Sequence, residues 1–231
     1  YEDYLNYNIE DPKCLDRDIF ILSKGHAGSA VYATLAEFGF FPQEKLLTHY
    51  QNGSDLSGHV SHKNVPGVEL STGSLGHGLS VATGIALGIK KKNTERKVCV
   101  LMSDGECDEG SIWEAAMFAS HHNLNNLLNI VDYNKLQSLT SISETLGLEP
   151  FADKWRAFGW DVEEVDGHNH KDINSVLEKT QNRENPLCLI AHTIKGKGIS
   201  FMENSVLWHY RSPQGEEFKA ALEELKNGMP E

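Results

Sequence analysis

The sequence predicts an α/β protein in three layers, α/β/α, with helices on both faces of a central, mostly parallel sheet. Short continuous apolar runs, which are typical of buried strands, recur along the chain. Helix-length segments separate them, and the central region has the strand, loop, helix, strand order of a βαβ unit. No repeat or linker divides the chain, so we expect a single domain over residues 1–231.

The first third is predicted to contain a strand, a helix and a long loop. The apolar run Asp18–Ser23 predicts the strand, and Val31–Phe38 predicts the helix. Residues 51–78 are rich in Gly, Ser and His and have no clear periodicity. This segment is too long for a passive connection, and long loops in compact domains are often functional.

A helix rich in small residues is predicted over residues 79–92. Its two glycines, Gly84 and Gly88, predict close backbone packing rather than exposure. The basic run Lys90–Lys92 stands at its end, where positive charge suits the negative end of the helix dipole. We therefore interpret these lysines as a helix terminus rather than a phosphate site.

The middle of the chain predicts the clearest βαβ unit. A strand over Lys97–Met102 is followed by an acidic loop, a helix over 111–123 and a second strand over Leu127–Asn134. The second half repeats the pattern with a strand, a helix, a strand and a final amphipathic helix: Trp160–Val165, a helix beginning near Asp172, Pro186–Ile194, and 215–228.

Composition excludes several functional classes. The net charge of −12 argues against binding nucleic acid through a basic surface. No apolar run approaches the roughly 18 residues that span a bilayer, and no signal peptide is visible. The four cysteines are scattered without a Cys-x-x-Cys pair, which favours a reducing compartment, and we expect a cytoplasmic protein.

The acidic loop "SDGECDEG" carries four carboxylates between Asp104 and Glu109. A solvated surface loop is one interpretation. A calcium loop is excluded, because the EF-hand glycine and glutamate positions hold Glu109 and Ala115. A third interpretation follows from topology, because Asp104 and Asn134 each stand at the end of a predicted parallel strand. Carboxylate and amide oxygens suit Mg²⁺, which completes its shell with water and phosphate oxygens.

The residues around this loop resemble the thiamine-diphosphate motif of transketolases, which is Gly-Asp-Gly followed about thirty residues later by Asn. Other segments of that family occur in the same order between about Asp16 and His209: "ILSKGHAGSAVYATLAEFGF", "PGVELSTGSLGHGLSVATGIALG", "FGWDVEEVDGH" and "HTIKGKGISFMEN". The resemblance implies the diphosphate-binding module of the thiamine-diphosphate fold. Several spaced motifs in order make it specific.

The resemblance implies thiamine diphosphate held through Mg²⁺, for which Ca²⁺ or Mn²⁺ could substitute. The matching metal ligands are Asp104, Asn134 and the carbonyl of Leu136. The matching cofactor contacts are Lys24, His26, Gly73, Leu75, Gly105, Glu109, Asn134, Lys195 and His209. Within this set Gly105 resembles the backbone contact to the diphosphate, and Glu109 resembles a carboxylate at the contact between paired cofactor-binding domains.

Three histidines resemble the family's catalytic and substrate-binding histidines: His26, His59 and His209. Histidine suits proton transfer because its pKa lies near working pH. The other histidines are interpreted as surface or core residues. In the acidic loop we interpret Glu106 and Asp108 as solvated.

The resemblance implies the N-terminal subunit of a split transketolase, which transfers a two-carbon ketol unit between sugars or sugar phosphates. In this family a pyrimidine-binding domain supplies the glutamate that activates the cofactor, and the 231 residues leave no room for it. We therefore expect a separate C-terminal partner chain, a heterotetramer of two plus two chains, and little activity from this chain by itself. A non-catalytic scaffold and the subunit of a 2-oxo-acid decarboxylase or synthase remain alternative hypotheses.

The sequence departs from the family pattern at three places. Ser103 replaces the first glycine of Gly-Asp-Gly, and His77 stands where the family more often has glutamine. An early Ser-Gly-His motif is absent because the chain opens after it, so we expect its extreme N-terminal segment to be missing. The donor and acceptor sugars are not predicted by the sequence.

Overall fold

A computed structural model describes residues 4–228 of the chain. Its centre is a five-stranded sheet in the order β1-β2-β3-β5-β4, and all its neighbouring strands are parallel. The strands are β1 (Ile19–Leu22), β2 (Val98–Ser103), β3 (Leu127–Tyr133), β4 (Asp161–Asp166) and β5 (Leu187–His192). The predicted fold class is confirmed. The ends of the predicted domain, residues 1–3 and 229–231, lie outside the described residues.

Helices connect the strands and cover the sheet. They are α1 (Gly28–Glu37), α2 (His77–Lys91), α3 (Gly110–His121), α4 (Ile142–Thr145), α5 (Phe151–Ala157), α6 (His170–Glu178) and α7 (Glu216–Gly228). Short 3₁₀ helices lie at Gly25–Ala27, Gln43–Thr48, Asp104–Asp108, Lys179–Asn182 and Val206–His209. The sequence did not predict α4 and α5, because four and seven residues are too few to establish a helical period.

Strand β2 shows how both faces of the sheet are buried. Val98, Val100 and Met102 are fully buried in a core that includes residues of α2, α3 and α5. Cys99, which points to the opposite face, packs in a separate cluster with Leu128 and residues near α6. Burial on both faces explains why β2 is a continuous apolar run in the sequence rather than an alternating one.

Helix α2 contradicts one prediction from the sequence. Gly84 and Gly88 are exposed, and a Cβ added to either would meet no described atom within 4 Å apart from its chain neighbours and the backbone of its own helix. Leu79, Ala82 and Ala86 instead form the buried face of the helix, at helical spacing. The predicted close packing of the two glycines is therefore wrong for this chain, because they lie on the face turned away from the sheet.

All strands end at the same edge of the sheet, since they are parallel. Leu22 of β1 pairs with Leu101 of β2, and Ser103 of β2 pairs with Asp132 of β3. The segments beyond or beside these strand ends are named here the carboxyl-edge loops, and they comprise residues 23–27, 72–76, 103–109 and 134–138. Ligands of open α/β sheets bind at this edge.

Candidate functional site

A cavity of about 820 Å³ opens at the carboxyl edge of the sheet. Every site residue predicted from the sequence lines it except Glu109. Segments far apart in the chain, from Lys24 to His209, therefore meet at one place. The arrangement is that of a ligand site at the carboxyl ends of parallel strands.

Asp104 is the buried acid of this cavity, with a relative exposure of only 2%. Its Oδ1 accepts a hydrogen bond from the backbone N–H of Gly105 at 2.7 Å, and its Oδ2 accepts one from the backbone N–H of Lys135 at 2.7 Å. Burial raises the pKa of its carboxyl to about 6, although the two backbone donors lower it. The Gly105 N–H, predicted as a diphosphate contact, is bonded to Asp104 in this structure.

The turn after β3 brings the other predicted metal ligands to the same edge. Lys135 has a positive φ of 64°, and its N–H donates to Asp104. Asn134 and Leu136 flank Lys135, and the Oδ1 of Asn134 accepts the Leu136 N–H at 3.0 Å. The hydrogen bond from Lys135 thus connects the β2 and β3 ends, as expected for two neighbouring parallel strands.

Basic side chains gather in the same cavity. Lys24 forms an ion pair with Asp132, whose other oxygen accepts a hydrogen bond from Thr193. The Nζ of Lys195 lies 2.9 Å from Nδ1 of His209, and the rings of His209 and His26 are 5.5 Å apart between centroids. Lysines from the β1 end and from the segment after β5 therefore meet two histidines.

Three basic residues of this group, His26, Lys195 and His209, have pKa values shifted towards the neutral form. Burial, followed by the charge of Lys24, lowers the pKa of His26 to about 4. Burial and Lys195 lower the pKa of His209, and burial and Lys24 lower that of Lys195. Mutual repulsion between cations is one of the causes in each case. Such a cluster in a chain of net charge −12 suits an anionic ligand.

His59 and the loop around Gly73 form a further part of the cavity lining. A Cβ on Gly73 would lie 2.8 Å from Cδ2 of His59, so the ring rests against the bare backbone. A Cβ on Gly25 would lie 2.3 Å from the carbonyl oxygen of Thr72. Only backbone fits at either contact, which explains the glycines here. Leu75, 36% exposed, also lines the cavity.

Three acidic residues differ in their placement. Glu109 is exposed and lies outside the cavity lining. The prediction that Glu106 is solvated is wrong, because the 3₁₀ helix Asp104–Asp108 turns it inward and its exposure is 0%. Asp108 is half-buried rather than solvated, and its Oδ2 accepts a 2.7 Å hydrogen bond from Gln137.

The two departures at Ser103 and His77 are also placed by the structure. Ser103 has φ −93°, so this position makes no demand for glycine. His77 is the first residue of α2, is exposed, and is not part of the cavity lining.

Several lining residues were missed by sequence reasoning. Tyr50 is 79% exposed with φ 61°, an uncommon backbone conformation for a bulky residue. A Cβ on Gly58 would strike the Tyr50 ring at 1.9 Å, so this glycine makes room for it. Arg211 also lines the cavity; it bonds to both oxygens of Glu217 and lies over the ring of Trp208. No local sequence pattern marks these residues, because their neighbours in space come from other segments.

Comparison with known proteins identifies the family. A family model described as transketolase, thiamine diphosphate binding domain, matches residues 1–228. The chain belongs to the transketolase family. A subunit of the apulose-4-phosphate transketolase of Actinobacillus succinogenes is 46% identical over 220 residues, which are 94% of this chain and 80% of that protein. A subunit of the 6-deoxy-6-sulfo-D-fructose transketolase of Clostridium sp. strain MSTE9 is 43% identical, over 94% of this chain and 79% of that protein.

A solved transketolase has the same fold. The structure from Campylobacter jejuni superposes with a TM-score of 0.88 at 31% identity, covering 96% of this chain and 36% of that one. The predicted family and the predicted enzyme class, a transketolase-type transferase, are confirmed by these relationships. Across residues 4–228, no helix has the length and apolar character needed to cross a membrane.

Proposed function

We propose that this transketolase-family chain is the N-terminal subunit of an enzyme that transfers a two-carbon ketol unit between sugars or sugar phosphates. It would use thiamine diphosphate and Mg²⁺, with a pyrimidine-binding partner chain completing the active site. One observation carries the proposal: a buried carboxylate and a group of basic side chains share one cavity. Asp104 provides the first, and Lys24, Lys195 and His26 belong to the second.

The acidic side of the cavity fits Mg²⁺. Asp104 makes no ion pair with any described residue, and a buried carboxylate is expensive without a cation. Each of its oxygens accepts one backbone hydrogen bond, which leaves acceptor capacity on both. Asn134 and the Leu136 carbonyl would add neutral oxygens.

The basic side fits the diphosphate. Lys24 is balanced by Asp132, whereas Lys195 is neighboured by His209 and a second lysine. An anion beside Lys195 would favour its charged form and relieve the repulsion. The bare backbone at Gly25 and Gly73 lets these loops lie close together, as a narrow cradle requires.

When bound, thiamine diphosphate supplies the electron sink that allows the carbon–carbon bond next to a ketose carbonyl to break. This chain would position protons for that chemistry. The ammonium of Lys195 donates to Nδ1 of His209, which places the remaining ring proton on Nε2. His209 is thereby held as a neutral donor. His26 lies beside it with its pKa lowered to about 4, so it is a neutral imidazole at physiological pH.

The names of relatives support a proposal for the partner and the substrate class. Two relatives bear names that describe them as transketolase subunits, one for apulose-4-phosphate and one for 6-deoxy-6-sulfo-D-fructose. We infer that this chain is likewise a subunit that pairs with a separate chain, and we propose an assembly of two plus two chains. Both named sugars carry an anionic group, and an anionic ketose is the class of donor that we propose here.

The test is a ketol-transfer assay on the chain co-expressed with a pyrimidine-domain partner, supplied with thiamine diphosphate, Mg²⁺, an anionic ketose donor and an aldose acceptor. We expect transfer by the pair and little by either chain alone. Decarboxylation of a 2-oxo acid without ketol transfer would contradict the proposal in favour of the decarboxylase or synthase hypothesis. Absence of any cofactor binding by the pair would contradict it in favour of the scaffold.

A further inference from the structure

The carboxylate of Glu106 is the centre of a buried hydrogen-bond group among the carboxyl-edge loops. Its Oε1 accepts from the hydroxyl of Ser23 at 2.5 Å and from the N–H of Gly76 at 3.1 Å. Its Oε2 accepts from the N–H of Ser103 at 2.9 Å. Ser23 and Glu106 are both 0% exposed. One side chain therefore joins three segments of the chain.

Each of these segments carries a residue of the proposed cofactor site next to its bond with Glu106. Three neighbouring pairs show this: Ser23 precedes Lys24, Gly76 follows Leu75, and Ser103 precedes Asp104. Glu106 itself does not line the cavity. Any effect that it has on a bound cofactor must therefore pass through these neighbours.

The contacts leave little freedom for the group to rearrange. A Cβ on Gly78 would lie 2.3 Å from Oγ of Ser23, so the serine is enclosed on that side. Gly76 holds a left-handed backbone with φ 82°, and its carbonyl accepts a 2.9 Å hydrogen bond from Ser111. Gly76, in the loop before α2, is thus held by hydrogen bonds at both its N–H and its carbonyl.

Stability alone does not explain a carboxylate at this position. Glu106 forms no ion pair with any described residue, and a buried charge without a partner cation is unfavourable relative to a well-packed apolar side chain. What the carboxylate provides, and an apolar side chain cannot, is acceptors for donors that arrive from three directions. Two of those donors are backbone N–H groups, which would otherwise be buried without a partner.

We propose that Glu106 is a positioning residue, which holds the segments bearing Lys24, Leu75 and Asp104 in the geometry that receives the cofactor. The inference rests on the proposed function. A site whose loops are fixed in advance loses less conformational freedom when it binds. Residues that orient direct ligands typically change affinity 10–100-fold when they are replaced, and we expect a loss of about that size for thiamine diphosphate.

The experiment compares Glu106→Gln with Glu163→Gln in the assembled pair. Glutamine keeps the shape of Glu106 but has one acceptor oxygen, so one set of donors loses its partner. Glu163 is an acid of β4 with a side chain 46% exposed, and it does not line the cavity. Val176→Ala, at the buried residue of α6, is the control for general destabilisation. Ser23→Ala, which removes a single bond and retains the carboxylate, serves if Glu106→Gln fails to fold.

Two readouts are needed. Calorimetric titration with thiamine diphosphate at fixed Mg²⁺ should give an affinity about 10–100-fold weaker for Glu106→Gln, a smaller loss for Ser23→Ala, and no change for the two controls. Hydrogen exchange without cofactor should show faster exchange at the amide of Gly76 or at that of Ser103, whichever has lost its acceptor oxygen, in Glu106→Gln only. A structural role alone would lower the unfolding temperature of Val176→Ala and Glu106→Gln without separating their affinities.

The outcomes separate this inference from the proposed function. If the wild-type pair binds no thiamine diphosphate, the proposed function fails and the inference falls with it. If the wild-type pair binds and Glu106→Gln binds equally well, only the inference is overturned. An equal loss of affinity in Val176→Ala and Glu106→Gln would also overturn it, because the effect would then be one of stability.

Discussion

The carboxyl-edge loops and the outer elements, strand β4 and helix α2, use the same residue types in opposite environments. Glu106 is fully buried, whereas Glu163 on β4 is 46% exposed and lies 3.5 Å from Arg183. Gly25 is pressed against backbone, whereas Gly84 on α2 faces open space. The comparison shows that a residue's type and its neighbours in sequence do not decide its environment. That environment depends on where its segment lies relative to the carboxyl ends of the strands.

The largest expected effect is the loss of kcat when a histidine that lines the cavity is replaced, compared with one that does not line it. We expect His209→Gln to lower kcat of the assembled pair by about 10²–10⁴-fold, the usual contribution of a positioned proton donor or acceptor. His192→Gln is the matched change, because His192 faces Glu164 at 3.0 Å and does not line the cavity. Steady-state kinetics with saturating cofactor checks both. Similar kcat losses in the two variants would contradict a catalytic role that is specific to the histidine lining the cavity.

The pH dependence of the free energy of unfolding tests the environment of His26 in the cavity. Burial, followed by the basic groups that face it (Lys24, His209, His59 and Lys195), lowers the pKa of His26 from 6.5 to about 4 on folding. The unfolded chain therefore binds a proton below pH 6.5 that the folded chain refuses until about pH 4. Stability contributed by neutral His26 is lost as the pH falls through this window. Urea unfolding of the isolated chain should show that slope, and His26→Asn should reduce it; an unchanged slope would contradict the assignment.

The smallest expected effects are the changes in the free energy of unfolding when single glycines are replaced by alanine. Gly25→Ala places a Cβ 2.3 Å from a backbone oxygen, and overpacking of this kind typically destabilises by about 1–3 kcal/mol. Gly84→Ala should instead stabilise the isolated chain by about 0.5–1 kcal/mol, since alanine is the better helix former and nothing opposes it. Denaturant unfolding of the two variants should move in opposite directions. Destabilisation by Gly84→Ala would show that α2 packs against a further surface.

The sequence was informative where its signal is local. Continuous apolar runs predicted β1, β2, β3 and β5, which are largely buried, whereas β4 has the polar, half-exposed sequence of an edge strand. Asp104 and Asn134 could be paired because each ends a parallel strand, and parallel strands share an edge. The family resemblance then supplied Lys24, Lys195 and the histidines, and all of these line one cavity.

The remaining features depend on contacts between distant segments. Glu106 is bonded to Ser23, 83 residues away, and to Gly76, 30 residues away, so its acidic neighbourhood predicted solvation wrongly. Tyr50 reaches the cavity through an unusual backbone conformation and the space above Gly58. Helix α5 was too short for its Phe151 and Trp155 spacing to establish a period.

The central claim is that Asp104 anchors a metal-bound diphosphate at the carboxyl edge. The direct measurement is calorimetric titration of the assembled pair with thiamine diphosphate at fixed Mg²⁺, comparing wild type, Asp104→Asn and Asp161→Asn. Losing a buried charge partner typically costs about 3 kcal/mol, which is roughly a 100-fold change in affinity. We predict at least that loss for Asp104→Asn and none for Asp161→Asn, which belongs to β4. Equal affinity for wild type and Asp104→Asn would contradict the account.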